Sequence, residues 1–300
     1  MSGAAVDAAG SVVVGYDGSS GAKLALRWAV EEAAVRTAPL RLTYIYQSGD
    51  LDGYVARHGR ILTHELDLVQ SSAHRLVVKG AAEVARISKG GVKTTATIED
   101  GNPVESLLRA ASTAALIVLG SRHLGVAGSM LLGSTSAAVA ARSTCPVVVM
   151  RGPAGDPAEG APVVAGVDPD GGTGEVLDFA FDYAHRHRAP LVPVMCWHVD
   201  PWAQTTWGPQ RPAPARADVA LSDALSDRSD RYPNVQLHPT VRRAHPVHGL
   251  VDESTAGRLL VIGSHGRHAL AGALLGSVSQ GVLHHATCPV AVVPINVDGP

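Results

Sequence analysis

Short β-branched or apolar runs alternate along this chain with longer stretches of helical period. Ser11 to Tyr16 is such a run, and Asp17-Gly18-Ser19-Ser20 turns the chain out of it. The next segment, with Ser19 or Ser20 as its cap, sets Leu24, Trp28, Ala29 and Val35 at helical spacing and stops at Pro39. Leu40 to Tyr46 reads as a second strand, followed by a polar loop from Gln47 to Gly59. From Ile61 to Lys89 apolar residues fall at 62, 66, 69, 73, 76, 77, 84 and 87, the stripe of a long amphipathic helix ended by Gly90-Gly91. Val92 to Ile98 is a third strand, Asn102-Pro103 opens a short helix, and Leu116 to Leu119 is a fourth strand. A helix starting at Ser134 and a fifth strand, Val147 to Met150, complete the set. Strands that alternate with helices need crossover connections, so the sheet is parallel and covered on both faces.

The second half repeats this scheme. Gly120-Ser121-Arg122-His123 through Gly133-Ser134 returns as Gly263-Ser264-His265-Gly266 through Gly276-Ser277, and Thr144-Cys145-Pro146 returns as Thr287-Cys288-Pro289. The offset is 143 residues at three landmarks: 120 to 263, 133 to 276 and 145 to 288. Val163 to Val167 ends in Asp168 as the first run ends in Asp17, an offset of 151, so the second copy is about eight residues shorter between strands one and four. The shorter helical segment from Asp218 to Tyr232 accounts for this, while Val235 to Val241 is its third strand. The expected organisation is a tail at 1–10, a first domain at 11–151, a Pro/Gly/Ala-rich linker at 152–161 and a second domain at 162–296. The expected fold is α/β: two tandem doubly wound domains, each a five-stranded parallel sheet flanked by helices.

In such sheets ligands bind beyond the carboxyl ends of the strands. The glycine motifs fall there, each running from a strand end to a helix start. Glycine lets backbone approach an anion, and the first amides of a helix point outward unpaired, with the dipole favouring negative charge. A phosphate chain fits that arrangement. The plainer reading is a turn that merely joins strand to helix, but its occurrence twice, at equivalent strand ends, favours a site.

Composition narrows the classes. Lys+Arg 25 against Asp+Glu 27, with 4 % aromatic residues, gives neither the basic face nor the stacking platforms of nucleic-acid binding. Cys145, Cys196 and Cys288 form no C-x-x-C pair and read as reduced, buried small residues. Met1 to Gly10 has neither a basic residue nor an apolar core, and no run approaches the roughly 18 apolar residues of a membrane span, so the expectation is a soluble cytoplasmic protein. Fourteen histidines invite a metal, yet His265 with His268 and the adjacent His284-His285 make no ligand set, and no metal site is expected.

On Gly15-Tyr16-Asp17-Gly18-Ser19, both glycine motifs and the Cys-Pro-Val endings, residues 11 to 294 resemble the universal stress protein family in its tandem two-domain form. The resemblance implies an adenine-nucleotide-binding fold in which the glycines and serines hold phosphates and ribose, while the first-strand Asp and the start of the second strand flank the adenosine. Carried over, the first site uses Asp17, Leu40, Gly120, Gly133, Ser134 and Ser136, and the second Asp168, Leu191, Gly263, Gly266, Gly276, Ser277 and Ser279. His123 stands where the second motif has Gly266. If that position needs positive φ or close backbone approach, a Cβ costs on the order of 1 kcal/mol or more, and a weaker first site is expected, partly offset by an imidazole hydrogen bond to phosphate. Pro169-Asp170 in place of Gly18-Ser19 is a second departure. Arg122 and Arg267 are either phosphate contacts or solvated charges, and the loop carrying Trp202 and Trp207 is either a flap or an exposed insert.

The function implied is an ATP-binding stress or regulatory module, with Mg²⁺ carried by the nucleotide, an unidentified protein partner and little or no hydrolysis. No Walker motif or metal-holding carboxylate pair accompanies the glycines, and no G-x-G-x-x-G follows the first strand. A slow ATPase or another adenine-nucleotide enzyme on the same scaffold is the alternative. The resemblance also implies that the fifth strands, Val147 to Met150 and Val290 to Val293, pair with each other within the chain, with room for a further homodimer.

Overall fold

The computed structural model describes residues 10–47, 63–123, 130–151, 157–168, 173–197, 214–264 and 275–295. The chain divides into two compact units, 1–150 and 151–300.

Unit 1 contains β1 (Ser11–Gly15), α1 (Ser20–Arg36), β2 (Leu40–Tyr46), α2 (Thr63–Ser88), β3 (Thr94–Asp100), α3 (Pro103–Ala111) and β4 (Ala114–Leu119). A two-residue ladder of β5 (Arg122–His123) and β6 (Met130–Leu131) follows, then α4 (Ser134–Arg142) and β7 (Val147–Val149). Its main sheet runs β3-β2-β1-β4-β7, every pair parallel. Unit 2 contains β8 (Val163–Val167), α5 (Gly174–His187), β9 (Leu191–Cys196), α6 (Pro214–Arg231) and β10 (Thr240–Arg242). It continues with α7 (Pro246–Glu253), β11 (Leu259–Gly263), α8 (Ser277–His285) and β12 (Val290–Val293). Its sheet runs β10-β9-β8-β11-β12, again parallel throughout. Each unit is the doubly wound five-stranded sheet expected from the alternation of runs. The central strands are apolar at nearly every position because helices cover both faces; Val12, Val13, Val14, Leu116, Ile117 and Val118 are all fully buried.

Helix ends follow local chemistry. The Ser19 hydroxyl accepts the Ala22 amide at the start of α1, and Thr37 closes it in the left-handed conformation (φ 54°), two residues before Pro39. Asn102 caps α3 by accepting the Val104 and Glu105 amides at 2.9 and 3.3 Å. The eight-residue shortfall of the second repeat lies in the long helix: α2 has 26 residues and α6 has 18.

Three readings change. Strand three of unit 1 begins at Thr94 rather than Val92 and runs on to Asp100, held in register by Leu40↔Thr94 through Tyr46↔Asp100. Its counterpart in unit 2 is only Thr240–Arg242, because Pro239 has no amide for the ladder and leaves Leu237 as an isolated bridge to Leu191. The helix read from Asp218 begins earlier, at Pro214.

All three cysteines are free and buried. Burial pushes the Cys196 and Cys288 thiols up to about 11 from 9.0, and it raises Cys145 as well. A thiol that ionises later in the folded than in the unfolded chain loses stability to rising pH once the unfolded thiol begins to ionise. Between pH 9 and 11 each of Cys196 and Cys288 is therefore expected to remove up to about 1.4 kcal/mol per pH unit. Melting curves across that range test this. A Cys196→Ser/Cys288→Ala double variant should show a shallower decline, and an identical decline would refute the effect.

Candidate functional site

In each unit the first strand lies between the second and the fourth, and the order in which strands are added reverses there, the switch point at which sheets of this class have a crevice beyond the carboxyl ends, here those of β1 and β4, and of β8 and β11. The first wall in unit 1 is the Tyr16 to Ser19 turn. The Asp17 carboxylate accepts the Ser19 amide at 2.9 Å, and Gly18 takes φ +79°, which a side chain would adopt only under strain. Tyr16 is buried, and its phenol is held above its ordinary range by desolvation first, then by the negative charges of Glu83 and Asp17.

The opposite wall joins the strand end to the motif helix. Ser136 donates its hydroxyl to the Gly120 carbonyl at 2.9 Å, and Ser279 does the same to Gly263 at 2.6 Å. Both serines are buried at 5 % exposure, so each pins the first turn of α4 or α8 against the end of β4 or β11. In unit 2 the Gly276 amide also donates to the Ser264 carbonyl at 3.0 Å. These two serines are positioning groups, and Ser134 and Ser277 remain as the first residues of the helices, both exposed.

Gly133 and Gly276 are the N-caps of α4 and α8, with φ −66° and −58°. Those values suit any residue, so conformational freedom does not explain glycine here. What glycine supplies is the missing side chain: neither N-cap offers an acceptor to the first amides, whereas the caps of α1, α3 and α7 do, and Thr173 at the start of α5 makes no such bond either. The first amides of each helix therefore receive no bond from their own N-cap residue. Gly120 serves differently. A Cβ there would lie 2.6 Å from the Gly21 oxygen and 2.7 Å from the Ala22 nitrogen, so its glycine lets the start of α1 pack on the end of β4.

Leu40 and Leu191 do not join these residues. Leu40 pairs with Val12 and Leu191 with Val163, at the amino ends of their strands, and both are fully buried. At about 3.3 Å per residue the four steps from Val12 to Tyr16 separate Leu40 from the rim by about 13 Å. Because all strands run parallel, the second-strand residues that reach the rim are the last ones: Thr43 to Tyr46 in unit 1 and Met195 to Trp197 in unit 2. Strand direction was the signal that identifies them.

His123 pairs with Met130 in the β5–β6 ladder. Extended backbone carries no left-handed penalty for a side chain, so the strain argument for a weak first site does not hold at this position. Asp168 ends β8 as expected. Gly266, His265, Arg267, His268, Pro169, Asp170, Trp202 and Trp207 lie outside the described residues. Among the described residues no three His, Cys, Asp or Glu side chains gather as a metal site, and no helix is long and apolar enough to cross a membrane.

The model of the universal stress protein family matches the chain twice, at residues 9–151 and 161–294. The chain belongs to the universal stress protein family. A universal stress protein of Mycolicibacterium smegmatis is 32 % identical over 291 residues, covering 94 % of this chain and 96 % of that one. One from Mycobacterium tuberculosis is 31 % identical over 288 residues, with the same coverage of each. Among solved structures, a universal stress protein from Archaeoglobus fulgidus superposes with a TM-score of 0.71, covering 95 % of this chain and 98 % of that one, at 17 % identity. The two matched segments coincide with two copies of the crevice, so this universal stress protein carries the family's sheet in duplicate.

Proposed function

We propose that this tandem universal stress protein is a nucleotide-dependent regulatory module whose crevices take adenine nucleotide, as Mg-ATP, with little or no hydrolysis. The observation that carries this reading is the pair of glycine-capped helix starts at the ends of the fourth strands. At Gly133 and Gly276 the chain omits the cap that α1 and α3 possess, directly past the carboxyl ends of β4 and β11. The Ser136 and Ser279 hydrogen bonds hold those helix starts still. Outward amides at a fixed helix N-terminus suit a phosphate chain, and Mg²⁺ would arrive on the nucleotide's own phosphates. Asp17 and Asp168, at the ends of the neighbouring strands, would accept from ribose hydroxyls. A role confined to binding and exchange accords with a crevice whose named groups include no activated nucleophile.

Nucleotide released on denaturing gently purified protein tests the reading, counted per chain for wild type and Gly276→Asp. An aspartate at the N-cap accepts the helix amides itself and places negative charge where phosphate would lie. About one fewer adenine nucleotide per chain is expected in the variant. A chain that carries none, and takes up none from Mg-ATP, would exclude the proposal; steady turnover abolished by the same substitution would favour an ATPase.

A further inference from the structure

Among the described residues, the ends of the third strands in the two units carry opposite charge. Pro103 and Pro246 each open the third helix of a unit and fix the equivalence of what surrounds them. On that alignment Glu99, Asp100 and Glu105 in unit 1 correspond to Arg242, Arg243 and His248 in unit 2, and Arg109 corresponds to Asp252. Each rim keeps a local ion pair, Glu99 with Arg109 at 3.4 Å and Arg242 with Glu253 at 3.4 Å. The exchange is not neutral: Arg109 suits the C-terminal end of α3, while Glu253 stands against the dipole at the end of α7, so local folding does not account for the reversal in unit 2. Something outside the pair has to.

The charges beyond those pairs differ most. Arg243 is exposed and has no carboxylate within ion-pair distance among the described residues; its guanidinium lies 5.4 Å over the Trp197 ring, which holds it at the end of β9. The first turn of α7 contains no acidic residue, while that of α3 contains Glu105. With strands about 4.8 Å apart, the end of β10 is about 10 Å from the end of β8 and about 14 Å from that of β11. Charges at that range act on a polyanion at low ionic strength and are screened at high.

We propose that the reversed strand ends make the two crevices unequal: unit 2 is the tight nucleotide site, its potential raised by Arg243, and unit 1, which has no cation at the equivalent position, is the weak one. This rests on the nucleotide reading above and assigns the asymmetry to the rim rather than to His123. Gly133→Asp leaves unit 2 to report and Gly276→Asp leaves unit 1. Calorimetric titration of each with Mg-ATP, at about 0.02 M and about 0.5 M salt, separates field from contact. At low salt unit 2 is expected to bind about tenfold more tightly, and the gap should narrow to about twofold at high salt. Uncharged adenosine should show no such salt-dependent gap. Arg243→Asp is expected to remove most of the low-salt advantage of unit 2, and Asp100→Arg to strengthen unit 1. A gap that is the same at both salts, or that survives Arg243→Asp and closes with His123→Gly, overturns the proposal while leaving nucleotide binding intact. Absence of Mg-ATP binding in both backgrounds overturns the nucleotide reading itself. Should Arg243→Asp fail to fold, the salt dependence and the adenosine comparison still decide.

Discussion

Alanine at position 120 is expected to destabilise unit 1 by about 3 kcal/mol or more, at the upper end of what overpacking costs. The added methyl meets backbone, the Gly21 oxygen at 2.6 Å and the Ala22 nitrogen at 2.7 Å, and backbone cannot rotate away as a flexible side chain can. Relief would require the start of α1 to lift from the end of β4, opening the crevice wall as well. Gly21 faces the same contact from the other side, where a Cβ would run into the Ser121 carbonyl oxygen. Gly90→Ala is a useful comparison, because Gly90 has φ +77° and nothing within 4 Å of a Cβ. It should cost only the left-handed backbone penalty of about 1 kcal/mol. Calorimetric melting of both variants decides: if Gly120→Ala costs no more than Gly90→Ala, the packing account of Gly120 is wrong.

Arg36→Met should cost about 3 kcal/mol or more, the usual consequence of breaking a buried ion pair from one side. Arg36 donates to the carboxylate of Glu32 one turn earlier in α1; the Glu32 side chain is 1 % exposed and that of Arg36 is 13 %. Without the guanidinium the carboxylate stays in the core with reduced compensation. Replacing both partners by apolar residues, Glu32→Leu with Arg36→Met, removes the charge together with its desolvation cost and should recover most of the loss. Urea unfolding of the two single variants and the double variant measures the cycle. A loss for Arg36→Met within about 0.5 kcal/mol of zero, the range of ordinary surface changes, would show that the pair contributes little.

Much of this was legible in the residues. The 143-residue offset announced two copies of one fold, and the alternation of β-branched runs with helical stripes specified parallel strands covered by helices, because crossover connections leave few other solutions. The glycine motifs fell at strand ends for the same reason, and family membership followed from them. Within the motifs, sequence could not separate glycines that cap a helix from glycines that admit packed backbone. Gly120 belongs with Gly21, a neighbour roughly a hundred residues away in the chain, and only the packed structure brings the two together.

Register was equally out of reach. Leu40 and Tyr46 belong to one strand, yet pairing with Val12 at one end and Asp100 at the other places them at the amino and carboxyl ends of the sheet. The shortening of β10 came from Pro239, a local signal outweighed in the sequence by the apolar residues around it. The sign of the rims was written in Glu99, Asp100, Arg242 and Arg243 from the start. Its meaning was not, because charge acts through space. What sequence by itself determined is the repeated fold and where its glycine motifs lie; tertiary structure decided which side chains share the carboxyl end of each sheet, which glycines are packing and which charges stand at the strand ends, since those depend on distances between segments far apart in the chain.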